Sequence, residues 1–304
     1  MKTTLLAGVS LSVVSLLLPL QAQAADLGRP TDVAAMPQMM GYVQVYGGGG
    51  RSTITRDGSD PANFNVLSFG GAGRGVIDLG SSTSDQVDAW ADFDTSYYDS
   101  SENTWDNADA VAGGGIANHV SWHVSDNDLL GVMATLGVPK SGQVADGLIG
   151  GAAIEAAHSQ GDFRLYAQAG ILRGLTGYEH SEGMQDLYAS LQAQYFINPD
   201  LMLQASVGGD RWTSDEYADD VNTSVFWGAK AEYKLIGLPA SFYVEYKGMA
   251  HNYSGGDLKT DHRVMLGLRV PFGTDSLQTL ENQDGLKDFN PIYGDPSPAS
   301  APRS

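Results

Sequence analysis

Over most of its length the chain alternates apolar and polar residues with a period of two. Leu187, Ala189, Leu191, Ala193 and Tyr195 interleave with Tyr188, Ser190, Gln192 and Gln194. That order gives an extended strand one apolar and one polar face, and it gives a helix neither. Asn198-Pro199-Asp200 then turns the chain, and Leu201, Leu203, Ala205 and Val207 resume the alternation, so the two runs read as a hairpin. The unit recurs. Ala152, Ile154 and Ala156 lead through Ser159-Gln160-Gly161-Asp162 to Phe163, Leu165, Ala167, Ala169 and Ile171. Val225, Trp227, Ala229, Ala231 and Tyr233 lead through Gly237-Leu238-Pro239 to Phe242, Val244 and Tyr246. Val120, Trp122 and Val124 lead to Leu130, Val132, Ala134 and Leu136, and Val264, Leu266, Leu268, Val270 and Phe272 form a last apolar face. Weaker strands are predicted at about 41–50, 66–78 and 86–95, for a total of about twelve strands of roughly ten residues.

The connections alternate in length. Short turns are predicted near 79–85, 125–128, 159–162, 197–200 and 236–239, and longer segments near 51–65, 96–114, 139–146, 174–185, 210–221 and 251–261. A meander with tight turns at one end, long loops at the other and an even strand number is the pattern of a transmembrane barrel, and about ten residues per strand suffice to cross the hydrocarbon at a tilt. The predicted fold is all-β: a transmembrane, up-and-down antiparallel β-barrel of about 12 strands.

The start of the chain reads as a secretory signal peptide: Met1-Lys2, an apolar run from Leu5 to Leu20, and Ala22-Gln23-Ala24 as a small-x-small cleavage site. The expected organisation is a signal peptide over 1–24, a periplasmic leader over 25–40, the barrel over 41–272 and a periplasmic tail over 273–304. The tail carries Pro291, Pro296, Pro298 and Pro302, with a short helix predicted near Ser276 to Lys287.

Composition narrows the chemistry. With 17 basic and 36 acidic residues the formal charge is -19, and loss of Lys2 with the signal peptide makes it -20. That excludes a phosphate-binding surface, since nucleic-acid affinity rests on clustered Lys and Arg. The chain has no cysteine, so disulfides and thiolate chemistry are absent. No cofactor or metal is expected.

In lipid an unpaired backbone N–H or C=O finds no water, so strands survive only in a closed sheet. The charged residues of the polar faces must then point inward: Arg74, Asp78, Asp88, Asp92, Asp94, Glu155, Arg164, Lys230, Glu232, Lys234, Glu245, Lys247, Arg263 and Arg269. With Trp90, and without Asp78, these are the lumen and selectivity candidates. Trp122, Tyr195, Trp227, Tyr233, Tyr246 and Phe272 lie on the opposite faces, where aromatics form interfacial girdles.

The signal peptide, the meander and the final strand together resemble the bacterial outer-membrane β-barrel or porin-like family over about residues 41–272. Such barrels carry a last-strand assembly signal, and Gly267, Val270 and Phe272 are similar to it. Met265 departs from the signal's usual polar residue, and the chain continues past Phe272. The resemblance implies the bacterial outer membrane as location, with outer-membrane lipid, the barrel assembly machinery and small hydrophilic solutes as partners, and leaves homo-oligomers open.

Other features admit bland readings. His119 and His123 share a strand face but stand roughly 13 Å apart at about 3.3 Å per residue, too far for one metal. Asp88, Asp92 and Asp94 form an acidic ladder that would favour cations or pair with Arg74 or Arg164. Gly70-Gly71-Ala72-Gly73-Arg74-Gly75 lacks the Lys-Ser or Lys-Thr of a phosphate loop and fits a strand with close packing. Asp215, Glu216, Asp219 and Asp220 lack the spacing of a calcium loop. The loop from Ser96 to Gly115, with Tyr97, Tyr98, Asp99, Glu102, Trp105, Asp106 and Asp109, either folds inward and narrows the lumen or stays exposed. His158, His180, His251 and His262 have no serine-centred motif beside them, so catalysis is not expected. The reading is therefore a channel for passive diffusion of small hydrophilic solutes, weakly cation-preferring. The alternative is a closed-lumen structural or adhesin-like barrel in which inward charges lock as salt bridges.

Overall fold

The computed structural model describes residues 39–56, 58, 60–80, 82–98, 109–138, 147–176, 185–214 and 217–283. The expected signal peptide, most of the leader and most of the tail lie outside them. Twelve strands follow in chain order: β1 (Met39–Thr55), β2 (Ala62–Gly80), β3 (Thr83–Tyr98), β4 (Asp109–His123), β5 (Asp128–Val138), β6 (Leu148–Gln160), β7 (Phe163–Thr176), β8 (Gln185–Asn198), β9 (Leu201–Ser214), β10 (Tyr217–Lys234), β11 (Ser241–Asn252) and β12 (Leu258–Phe272). Each pairs with its neighbours in sequence, and β1 pairs with β12 to close the barrel. That seam runs antiparallel from Gly41 opposite Phe272 to Thr55 opposite Leu258.

The period-two pattern decides which side faces out. Val132, Ile154, Leu191, Val207, Leu266 and Val270 are exposed, whereas Arg74, Asp88, His119, Glu155, Arg164 and Arg269 are buried. A water-soluble protein has the reverse distribution. Apolar outside, polar inside and no free sheet edge is what a strand protein needs in order to sit in lipid. Near the short-turn end the outer surface carries Trp122, Phe163, Tyr195, Tyr233 and Phe242, all exposed, at the height where ring edges meet headgroups. Further up, Trp227 and Tyr246 pack on His262, which receives or donates a 2.7 Å hydrogen bond with the Tyr246 hydroxyl.

The strands are longer than expected. They reach 19 residues in β2 and 18 in β10, against 11 in β5. The extra length lies at the long-loop end, where Arg51, Ser52 and Thr53 oppose His262, Asp261 and Thr260; polar side chains let the ladder continue beyond the apolar belt. This corrects the loop reading. The segment 210–221 is mostly strand, because β9 runs to Ser214 and β10 starts at Tyr217. Asp219 and Asp220 therefore belong to β10, and Asp215 and Glu216 lie outside the described residues. Likewise β3 extends to Tyr98 and β4 begins at Asp109, so the part of the expected inward loop that includes Asp99, Glu102, Trp105 and Asp106 also lies outside them.

After Gly273 the chain turns back into the short-turn mouth as a seven-residue helix, α1 (Leu277–Gln283). Leu277 and Leu280 are fully buried, and Leu277 clusters with Phe196 and Met202. The Gln278 backbone N–H donates to the Pro199 carbonyl at 3.0 Å, and its side-chain amide donates to Asp162 at 3.2 Å. The helix is thereby tied to the turns β6–β7 and β8–β9. Lys287, the far end of the predicted helix, lies outside the described residues.

The three last-strand residues take different positions. Gly267 faces inward directly under the Tyr243 ring, where a Cβ would collide with it. Val270 is exposed on the outer surface, and Phe272 stands opposite Gly41 at the end of the seam. Gly267→Val is expected to lower folded stability by roughly 1–3 kcal/mol through overpacking, and removing the ring with Tyr243→Ala is expected to recover part of it. Denaturant titration in detergent micelles, read as heat-dependent gel mobility, measures both.

Candidate functional site

The barrel interior is divided lengthwise. Along β3 to β8 it is filled by an apolar cluster of Trp90, Ala117, Met133, Ile149, Leu172 and Tyr188, with Ala153 between them. This departs from the expected uniformly polar lumen. A small barrel must fill its interior with side chains where there is no room for water, and inward Met, Ile and Leu do that without leaving polar groups unpaired.

One layer nearer the short turns lies a buried charge network. Arg74 donates from Nε and Nη2 to the two carboxylate oxygens of Asp88 at 2.8 and 2.9 Å, the fork geometry that makes arginine pairs strong. Gln86 donates to the same carboxylate at 3.1 Å. His119, fully buried, stands between two acids: Nε2 lies 3.2 Å from Asp88 and Nδ1 lies 3.0 Å from Glu155. Two carboxylates facing both ring nitrogens complement a ring that donates from both. Tyr166 and Gln168 each donate to Glu155 at 2.6 Å. Arg74, Asp88 and Glu155 are thus brought together, by partners His119, Tyr166 and Gln168 that alternation alone does not single out. His123, by contrast, is exposed near the short turns.

A second network closes the short-turn mouth. Arg269 donates to Glu281 of α1 at 3.0 Å and to Gln44 at 3.2 Å, approaches Glu232 at 3.4 Å, and lies over the Tyr42 ring at 4.1 Å. Lys230 pairs with Glu232 at 2.9 Å and covers the Tyr243 ring. Gln194 donates to Glu281 at 2.9 Å. Lys234, expected in the lumen, sits at the rim instead, where its ammonium donates to the Asp275 carbonyl. It is the last residue of β10, so its side chain reaches the tail rather than the pore. Arg164 is buried near this end and lines a small cavity with Asn282 of α1.

Most of the remaining candidates line a cavity of about 230 Å³ in the lumen, with Trp90 of the apolar cluster in its wall. Arg263 donates to Asp94 at 2.6 Å and in a fork to Asp261 at 2.7 and 2.8 Å. Lys247 pairs with Glu245 at 3.4 Å. Asp92 accepts a hydrogen bond from Tyr46. The approach of Tyr46 to Asp92 explains the glycine run: a Cβ at Gly70 would strike both groups, and the run is part of β2. The acidic ladder is therefore not a free one, since Asp88, Asp92 and Asp94 each hold a partner. Arg74 takes Asp88, as anticipated; Arg263 and Tyr46 take the others.

At the long-loop rim the structure joins residues that the sequence keeps apart. Ser224 Oγ lies 2.6 Å from His251 Nδ1, and His251 stacks on Trp212 and meets the edge of Tyr253. Asp210 also bonds Ser224. The hydroxyl thus stands in the middle of the three, whereas a hydrolytic triad needs the imidazole there.

No protein-family model and no curated protein matches the sequence. By structure the chain is similar to an outer-membrane channel of Pseudomonas putida F1, with 13% identity and a TM-score of 0.58 over 81% of this chain and 100% of that one. The fold is that of a bacterial outer-membrane β-barrel. Two further likenesses are weaker. The translocator domain of the autotransporter NalP from Neisseria meningitidis has 12% identity and a TM-score of 0.48, over 88% of this chain and 97% of that one. The outer-membrane channel DcaP of Acinetobacter baumannii has 12% identity and a TM-score of 0.43, over 81% and 100%. In outer-membrane barrels short turns are periplasmic and long loops extracellular; α1 stands at the short-turn end and the Ser224–His251 pair at the long-loop end.

His119→Leu is expected to cost about 3–5 kcal/mol, because it strands the buried carboxylates of Asp88 and Glu155 on the side where the ring stood. His119→Gln, which can still donate to one of them, should cost less. Denaturant midpoints followed by tryptophan fluorescence give both values.

Proposed function

We propose that the protein is an outer-membrane channel for passive diffusion of small hydrophilic solutes, held closed at its periplasmic mouth by α1. The observation that carries this reading is a cavity within the lumen, lined by side chains of β1 to β3 and β7 to β12, with a seven-residue helix seated in the short-turn mouth beyond it. A barrel needed only as a scaffold has no use for such a space. Leu277, Leu280 and Glu281 make α1 a fitted stopper, with two apolar side chains buried and one acid engaged by Arg269.

Filtering is steric and electrostatic, without a chemical step. Among the cavity's lining residues are four carboxylates, Asp88, Asp92, Glu245 and Asp261, and three cations, Lys230, Lys247 and Arg263. The small excess of negative charge, together with an acidic chain, supports a weak preference for cations. The chain reaches the bacterial outer membrane after cleavage behind Ala24 and insertion by the barrel assembly machinery, with Gly267, Val270 and Phe272 as the recognised last-strand signal.

A second reading has its own observation. The contacts among Arg74, Asp88, His119 and Glu155, and among Arg269, Glu232 and Glu281, fit a barrel whose lumen stays locked and whose outer surface does the work.

Single-channel recording in planar bilayers separates the two. The native chain should show small or infrequent openings, and Leu280→Asp, which makes the helix unfit for its apolar seat, should show larger and more persistent steps. Asp92→Asn should shift the reversal potential across a salt gradient toward less cation preference. A folded, inserted Leu280→Asp barrel that passes no current would establish the locked reading instead.

A further inference from the structure

The walls of the lumen cavity combine three properties. First, they carry aromatic rings that no cation covers, Trp90 and Phe226. Second, they carry a high density of neutral hydrogen-bonding groups: the amides of Gln44, Gln168, Gln192 and Gln204, and the hydroxyls of Ser190 and Ser206. Third, the charges that reach the cavity are already answered. Arg263 is held by Asp94 and Asp261, Lys230 by Glu232, Lys247 by Glu245, and Asp88 by Arg74, while Asp92 accepts from Tyr46.

These properties select among solutes. An anion or cation entering here must give up hydration to approach groups whose opposite charge is already spent, and that exchange is unfavourable in a confined space. A neutral solute meets no such cost. Glutamine and serine side chains both donate and accept, so they match hydroxyl groups, which do the same. Aromatic faces match the C–H faces that a polyhydroxylated ring presents between its hydroxyls. The amide nitrogen of Gln192 is buried and makes no hydrogen bond among the described residues, a donor left for something in the cavity. A volume of about 230 Å³ lies just under the small end of small-molecule pockets, ~300 Å³, which limits the solute to about one ring.

From this we infer that the cavity is a binding site for a neutral polyhydroxylated solute of single-ring size, a free sugar or sugar alcohol. The inference rests on the channel reading for its place in transport, and on the cavity alone for binding. Gln192 and Gln204, on the adjacent strands β8 and β9, are the specificity residues. The rings supply a face that tolerates the C–H side of the solute, and charges already paired offer its ionised relatives nothing in return for lost hydration.

The test uses the full chain refolded in detergent micelles, with glucose as the neutral probe and glucuronate and glucosamine as its anionic and cationic counterparts. Binding is read by calorimetry and by the fluorescence of Trp90, which lines the cavity. Glucose should bind and both charged counterparts should bind more weakly. Gln192→Leu and Gln204→Leu should each weaken glucose by roughly five- to tenfold, the loss of one neutral hydrogen bond, with the barrel's heat-dependent gel mobility unchanged. No glucose binding, tighter binding of either charged sugar, or glucose binding untouched by both variants would overturn the proposal. Ion conductance without sugar binding removes the site and leaves the channel; sugar binding to a barrel that never conducts, even as Leu280→Asp, leaves the site and removes the channel.

Discussion

Everything in this molecule follows from one requirement: no backbone N–H or C=O may be left open to hydrocarbon. The pairing of β1 with β12 from Gly41–Phe272 to Thr55–Leu258 meets it, since every other strand already has two neighbours in sequence. Once the ring is shut, side chains have only two directions. Those that tolerate lipid point out, and everything charged within the span must point into a space only a few side chains wide.

That space answers the problem of confined polarity in three ways. Beside β3 to β8 it avoids it, with Trp90, Met133, Ile149, Leu172 and Tyr188 packed as a dry core. Next to that, Arg74, Asp88, His119 and Glu155 satisfy one another, so that the cost of removing charges from water is offset by several short, aligned hydrogen bonds. Between β1 to β3 and β7 to β12 the walls stay apart and water-sized space remains. The first two solutions hold the barrel's shape, and the third leaves a cavity. A cavity and a packed core are thus neighbours within one lumen.

Much of this was legible in the chain. Alternation identified all twelve strands and assigned the charged candidates to the inner face, because side-chain direction in a strand depends only on parity. The pairings were harder. Arg74 and Asp88 are opposite one another on adjacent strands, but His119 reaches Glu155 across β5, and Glu281 reaches Arg269 from beyond the last strand; such contacts depend on register and curvature that parity does not encode. Alternation did not single out inward Met133 and Leu172, which fill the side of the lumen beside β3 to β8. The segment 210–221 read as loop because its Asp and Ser residues are rare in strands within lipid, yet they are ordinary in a ladder that has already left it. Lys234 was placed inside by parity alone, without regard to how close it stands to the end of β10.

The seating of α1 also has a consequence for the order in which the molecule is made. Its contacts come from Phe196 and Met202 at the β8–β9 turn, from Pro199 and Asp162 in two different turns, and from Arg269 in the last strand. No open sheet brings these groups to one place. The helix has no docking site until the ring is complete, so its seating can serve as a latch that fastens last, tying turns that the strands alone leave separate and resisting the reopening of a finished barrel.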